Sequence, residues 1–329
     1  MPFVNKIKQL VRPVLHGLKK SLDTWSNGSC LVLLYHRVSD YTTDPQLLCV
    51  TPENFDAQLG YLRSNYNVLT VEEFYSVLIN KMKFPDRSVL LTFDDGYRDN
   101  YRYALPLLEK HGLQALFYIC TGNFNTEKEF WWDEVERCLL LSKNPDEKLS
   151  FRIGNENFTS VDASERRSLY TGILPALRAL AVAERTNVLR EIRKQTGNEP
   201  ERPSHRSMTW DDLILMAKSS SAVIGAHTVN HPSLAFLDRK DQEYEIMTSK
   251  QQLEKVLGKN IEHFSYPFGT QGDYTAETID ICRKAGFKMV ISNFPYIANR
   301  KSDLFQIPRF LVRDWNAEMF RKKLKSFGR

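Results

Sequence analysis

Two adjacent carboxylates, Asp94 and Asp95, and two imidazoles four positions apart, His227 and His231, are the side chains of this 329-residue sequence best suited to chemistry. Histidines one helical turn apart, joined by one carboxylate, offer the three N/O ligands of an open zinc site and leave a fourth position for water. A second carboxylate next to such a site suits a general base for that water. Neither pair is specific alone: a His-x-x-x-His spacing arises by chance, and an Asp-Asp pair often caps a helix or sits in a solvated loop. Their placement is what makes them informative. Asp94-Asp95-Gly96 follows the apolar run Ser88–Phe93, and His227 follows Ala222–Ala226. His36 likewise follows Cys30–Tyr35, and Pro267-Phe268-Gly269 follows Ile261–Tyr266.

These runs are the strands of an expected β/α fold. Ala115–Cys120, Lys288–Ser292 and a weaker Phe305–Pro308 complete the set, and helical periodicity fills Thr51–Asn65, Asn100–His111, Asp241–Leu257 and Thr275–Ala285. In parallel β/α barrels the loops after the strand ends line one mouth, so ionisable residues far apart in sequence meet there. The expected architecture is a single α/β domain over residues 29–329, a distorted (β/α) barrel of about seven strands. Asn125–Ser207 breaks the rhythm and reads as a mostly helical insertion (125–207), with Phe130, Trp131 and Trp132 as its apolar contact. Residues 1–28 carry Val4, Ile7, Leu10, Val11, Val14, Leu15 and Leu18 at helical spacing among Lys6, Lys8, Arg12, Lys19 and Lys20. This amphipathic N-terminal helix either covers an open end of the core or contacts an anionic membrane surface through residues 3–22.

A 42% hydrophobic and 26% charged composition excludes global disorder, and a formal charge of +5 is too mild to argue for nucleic acid as a partner. The five cysteines, Cys30, Cys49, Cys120, Cys138 and Cys282, form no Cys-x-x-Cys pair and read as reduced. With no transmembrane-length apolar stretch and no signal-peptide pattern, the expected location is cytoplasmic, at most peripheral at the inner membrane face.

Thr92-Phe93-Asp94-Asp95-Gly96-Tyr97, His227-Thr228-Val229-Asn230-His231-Pro232 and Ser265-Tyr266-Pro267-Phe268-Gly269 resemble the first three motifs of the polysaccharide deacetylases, the carbohydrate esterase family with the NodB-type domain. Leu34-Tyr35-His36-Arg37-Val38 and Met208-Thr209-Trp210-Asp211 are similar to bacterial members as well. The resemblance spans roughly residues 30 to 320. It implies a distorted barrel that removes acetyl groups from N-acetylated sugars or oligosaccharides with a divalent metal, usually zinc, with cobalt or nickel as alternatives. Asp95, His227 and His231 would bind the metal, and Asp94 would take the proton of the attacking water. Phe268 would supply a backbone amide to the oxyanion, with Tyr266 and Pro267 beside it as substrate-binding positions. Thr228 would orient a histidine or its loop.

The sequence departs from that family in two places. Ser265 stands near where an arginine orients the catalytic aspartate, and Arg309 is the candidate replacement. No histidine follows His263, so the usual C-terminal general acid is missing. His36 is the candidate substitute, and return of the proton by Asp94 is the other route. Tyr97, Tyr266, Trp131, Trp132 and Trp315 are candidate sugar platforms, while His16, His111, His205 and His263 are assigned no role. Two other functions compete: a related amidohydrolase or deformylase on a non-sugar amide, and a silent sugar-binding protein. Retention of both aspartates and both histidines argues against the second, because a binding module needs no base beside a metal ligand.

Overall fold

The computed structural model describes residues 28–41, 43–144, 146–197 and 200–327. The amphipathic helix expected near the N-terminus, and the membrane contact assigned to it, lie outside these residues. No described helix is long and apolar enough to cross a membrane.

Among the described residues nine strands form a curled sheet, in which seven parallel strands carry the architecture: β1 (Ser29–Tyr35), β2 (Ser88–Phe93), β3 (Ala115–Ile119), β4 (Ala222–Ala226), β5 (His263–Ser265), β6 (Met289–Ile291) and β7 (Phe310–Leu311). Short Asn67–Val68 adds to β2 in parallel and Ala298–Asn299 to β1 antiparallel. The hydrogen-bonded order is β6-β5-β4-β3-β2-β1, with β7 also paired to β1. Among the described residues ten α-helices accompany them: α1 (Pro52–Asn65), α2 (Val71–Ile79), α3 (Leu105–His111), α4 (Trp131–Leu140), α5 (Arg166–Arg178), α6 (Val182–Thr196), α7 (Trp210–Met216), α8 (Arg239–Leu257), α9 (Ala276–Lys284) and α10 (Ala317–Phe327).

The first three strands are continuous apolar runs because both of their faces are covered. Leu31, Leu33, Tyr35, Leu91, Phe93 and Phe117 pack outward with Phe55 and Leu59 of α1 and Leu108 of α3. The alternate residues Val32, Leu90, Leu116 and Tyr118 join Met289 and Ile291 from the far edge of the sheet in one cluster, which is the inside of the curl. Helix α2 packs Val71, Phe74 and Leu78 into that same cluster. Its start is set by a capping box, in which Thr70 accepts from the Glu73 amide and Glu73 reaches back to the Thr70 amide.

The strand expected at Phe305–Pro308 forms differently. Ile307 bridges to Ile291 of β6, and the chain then pairs again through β7, Phe310 opposite Leu33 of β1. Pro308 has no N–H to continue a ladder, so the segment crosses from one side of the seam to the other, and Arg309 sits at the crossing.

Between β3 and β4 the chain builds α4, α5 and α6 around a second hydrophobic cluster that includes Phe130, Trp131, Trp132, Val135, Ile173 and Ile192. The segment also holds an antiparallel hairpin, Leu149–Ile153 with Glu156–Ser160. Its alternating burial at Leu149, Phe151 and Ile153 marks strands with one wet face, which a reading of the segment as mostly helical does not anticipate.

Candidate active site

Ends of six strands deliver the chemistry to one place. Asp94 and Asp95 follow β2, His36 follows β1, His227 follows β4, Phe268 follows β5, Asn293 follows β6, and Leu311 ends β7. Together with Gln46, Leu48, Trp132, Arg178, His231 and Thr270 they line a cavity of about 220 Å³. A larger cavity of about 360 Å³ lies on the other side of the 228–230 loop. Asp94, Asp95, His227 and His231 line the smaller one.

The backbone here is bent to purpose. Asp95 (φ 75°), Thr228 (φ 68°), His231 (φ 50°) and Phe268 (φ 59°) all adopt left-handed conformations without being glycine. Each costs on the order of 1–3 kcal/mol and persists only where the surroundings over-determine it, as happens at functional sites. The Asp95 carbonyl accepts from the Cys120 amide (3.1 Å), which ties the turn after β2 to the end of β3.

Asp95 Oδ1 lies 3.6 Å from His227 Nε2 and 3.4 Å from His231 Nε2. These are too long for good hydrogen bonds, and Asp95 Oδ1 has no hydrogen-bond partner despite being fully buried. The separations match two ligands on one tetrahedral ion, which at zinc bond lengths of about 2.0–2.1 Å stand about 3.3–3.4 Å apart. His227 Nδ1 donates to the Ser265 carbonyl (2.7 Å), which leaves its Nε2 lone pair free to bind an ion. Without an ion the site is electrostatically frustrated. Burial and the neighbouring Asp94 push the Asp95 carboxyl well above its ordinary value, and burial together with His227 pushes His231 well below. The donor set therefore fits a divalent cation.

Asp94 is held apart from this set. Arg309 grips it with two bonds, Nη1 to Oδ1 and Nη2 to Oδ2, both 2.7 Å. The same guanidinium donates to Ser265 Oγ (2.9 Å) and to the Ser292 carbonyl (2.8 Å). Burial pushes the Asp94 carboxyl up, but Arg309 and His227 outweigh it and keep the group below the ordinary carboxylate range, ionised at neutral pH. Asp94 Oδ2 is the oxygen near His227 Nε2, at 3.8 Å.

His36 lines the cavity, and its Nδ1 has no partner. Burial lowers it to about 3 against the opposing pull of Asp94, so it is neutral at rest. Phe268 stacks edge-on against His231 (4.7 Å between centroids), and its amide N–H has no acceptor among the described hydrogen bonds. Thr228 Oγ1 accepts from the His231 amide (3.1 Å).

The remaining expected positions fall elsewhere. Tyr266 turns its ring into the core, stacks on Tyr274 and donates to the Phe305 carbonyl, so its side chain does not reach the cavity. Pro267 does not line it either. Of the candidate platforms only Trp132 does, packed on His231 at 4.6 Å. Tyr97 is buried against Asp133, Trp131 lines the larger cavity, and Trp315 packs on the core. His111 pairs with Asp56, and His205 and His263 are buried away from the cavity. Gln46, Leu48, Arg178, Thr270 and Asn293 were not foreseeable from motif spacing. Arg178 reaches in from α5, stacks over Phe268 (4.0 Å) and pairs with Asp273. A second buried acid–imidazole group, Asp133, Glu136 and His205, also brings its ligand atoms together, but Arg202 already bonds Glu136 and Tyr97 bonds Asp133.

A curled parallel β/α sheet with carboxylates and imidazoles converging at its strand ends is a β/α-barrel architecture with its site at the strand-end mouth. The family model for polysaccharide deacetylase matches residues 81–140 and 160–290, more than half of the sequence, and the chain belongs to that family. It is 23% identical over 320 residues to a poly-beta-1,6-N-acetyl-D-glucosamine N-deacetylase of Staphylococcus aureus, covering 92% of this chain and 85% of that one. Its fold is shared with the Streptococcus pyogenes deacetylase PplD in complex with acetate (TM-score 0.59, 21% identity, 89% of this chain and 97% of that one). The fold is shared as well with IcaB from Ammonifex degensii (TM-score 0.58, 19% identity, 92% and 98% covered).

Proposed function

We propose that this chain is a divalent-metal-dependent N-deacetylase that hydrolyses the acetamide of an N-acetylated sugar in a glycan or glycan precursor. The observation that carries this is the meeting of Asp95, His227 and His231 around one buried, unsatisfied point, with Asp94 beside it and gripped by Arg309. Asp95 Oδ1 and the two Nε2 atoms would hold the ion, zinc by preference for an N/O set, and a bound ion there polarises the amide carbonyl and lowers the pKa of water.

The chain's own residues do the rest. Asp94, kept ionised by Arg309, takes the proton of the attacking water. The free amide of Phe268 donates to the oxyanion that develops as the carbonyl becomes tetrahedral. The leaving-group proton is assigned to His36. It is the ionisable residue of the cavity that neither bonds Arg309, nor belongs to the ligand set, nor is already paired, as Arg178 is with Asp273. Being neutral at rest, His36 delivers the proton that Asp94 took from the water, relayed to it during turnover. Trp132, Phe268, Leu48 and Leu311 give the cavity apolar walls suited to a pyranose face and an acetyl methyl.

The deciding experiment is a substrate panel on metal-reconstituted protein, read as released acetate or formate. The Staphylococcus aureus relative puts β-1,6-linked N-acetylglucosamine oligomers first, followed by chitooligosaccharides, nucleotide-linked N-acetyl sugars and formylated aminosugars. Acetate from an N-acetylated sugar is expected; formate alone would move the chain to the related deformylase reading.

A further inference from the structure

The loop Thr228-Val229-Asn230 connects the two histidines, and it runs between two residues with left-handed backbone, Thr228 and His231. Such a loop does not hold its shape unaided. One side is tied to the end of β3: the Thr121 and Gly122 amides donate to the Thr228 and Val229 carbonyls (3.2 and 2.8 Å), and Cys120 Sγ lies 3.0 Å from the Val229 oxygen. Gly122 is required for this approach, since a Cβ there would stand 2.6 Å from the Val229 oxygen.

The other side is held by a single carboxylate. Glu245, on α8 and 2% exposed, accepts at Oε2 from the amides of both Val229 and Asn230, each 2.8 Å, and at Oε1 from Asn230 Nδ2, 2.7 Å. Arg185 of α6 closes the ring by donating to the Asn230 carbonyl (2.8 Å). Three donors from two consecutive residues on one buried carboxylate make a charge-assisted clamp. It satisfies amides that a left-handed loop would otherwise bury unpaired.

We infer that Glu245 is a positioning residue for the metal centre: through Val229 and Asn230 it sets the distance and direction of His231 Nε2 relative to His227 Nε2 and Asp95 Oδ1. The inference rests on the metal reading of those three residues. It makes metal affinity depend on an acid on the back of the ligand loop. Partners that orient a ligand in this way typically change metal affinity about 10–100-fold when removed.

The test is zinc affinity of the full chain by chelator competition, with the absorption spectrum of the cobalt-substituted protein as a report on ligand geometry and circular dichroism as a check of folding. Glu245→Ala is expected to weaken zinc binding about 10–100-fold and to alter the cobalt spectrum. Asn230→Ala, which removes one of the three bonds, should shift both in the same direction by less. The KM of zinc-saturated Glu245→Ala should stay near that of the wild type. Should Glu245→Ala not fold, Glu245→Gln, which keeps an acceptor oxygen but not the charge, is judged by the same criterion. Folded variants with wild-type zinc affinity and cobalt spectrum overturn the inference alone. A wild type that binds neither zinc nor cobalt overturns the metal reading and the inference with it.

Discussion

Arg309 and Asp94 lie 215 positions apart in sequence and meet in a two-pronged ion pair, Nη1 to Oδ1 and Nη2 to Oδ2, with the arginine 1% exposed. Seam geometry makes this possible: Pro308 ends the pairing with β6, and Arg309 enters the gap before β7 pairs with β1. In Arg309→Met the burial that raises the Asp94 carboxyl is no longer opposed by a guanidinium. The base then stays protonated to higher pH, so the acid limb of kcat/KM moves upward and activity survives best in alkaline buffer. Removing one partner of a buried pair also costs about 3–5 kcal/mol of stability. Arg309→Lys should shift the limb less. An unchanged pH profile in Arg309→Met contradicts the assignment.

Asp94 and its neighbours differ in what their loss does. Asp94→Asn should keep metal while turnover falls by roughly 10²–10⁴-fold, the usual contribution of a positioned base. His231→Ala should lose metal affinity first and activity as a consequence. Equilibrium dialysis against zinc, run beside acetate release, separates the two. An active Asp94→Asn shows that the base is another group.

His36 carries a specific pH expectation. Burial places it at about 3, far below the ordinary imidazole value, so it is uncharged throughout a neutral assay. The wild-type kcat/KM profile should therefore show no inflection near pH 6.5 that vanishes in His36→Ala, while kcat of that variant drops by about 10²-fold or more. An unchanged kcat removes His36 from the mechanism; an inflection lost with the side chain keeps it there but contradicts its being neutral at rest.

Asp133 links stability to pH beside the site. Tyr97 donates to it (2.7 Å), Trp132 Nε1 donates to the Tyr97 hydroxyl (2.8 Å), and Trp132 packs on His231. Burial, against Arg37 and the Tyr97 bond, raises the Asp133 carboxyl to about 7. Between about 3.9 and 7 the folded chain keeps a proton that the unfolded chain releases. The associated stability is complete below that window and is lost as pH rises through it, with a slope of up to about 1.4 kcal/mol per pH unit. Urea unfolding at several pH values should show this loss in the wild type relative to Asp133→Asn; parallel curves contradict it.

Much of this architecture is legible in the sequence because strands buried on both faces read as unbroken apolar runs, and each is followed at once by its site residue. Asp94, Asp95, His227 and His36 can be grouped on that ground alone. Arg309 was reachable only through the gap left by Ser265, because the strand preceding it is interrupted by a proline and pairs with two different neighbours. Trp132, Arg178 and Leu48 carry no such signal: they reach the cavity through the packing of the 125–207 segment and of the loop after β1, which local periodicity does not encode. Tyr266 misleads for a related reason. It stands in a motif beside the oxyanion position, yet side chains alternate along an extended segment, and its ring falls on the core side.

The most direct test of the central claim follows bound metal and acetate release together. Purified protein is stripped with chelator, then titrated with zinc in the presence of an N-acetylglucosamine oligomer. Acetate release should vanish on stripping and return in proportion to zinc bound, saturating near one ion per chain. Full acetate release by the metal-free protein, or none by the zinc-loaded protein on any N-acetylated glycan, contradicts the account.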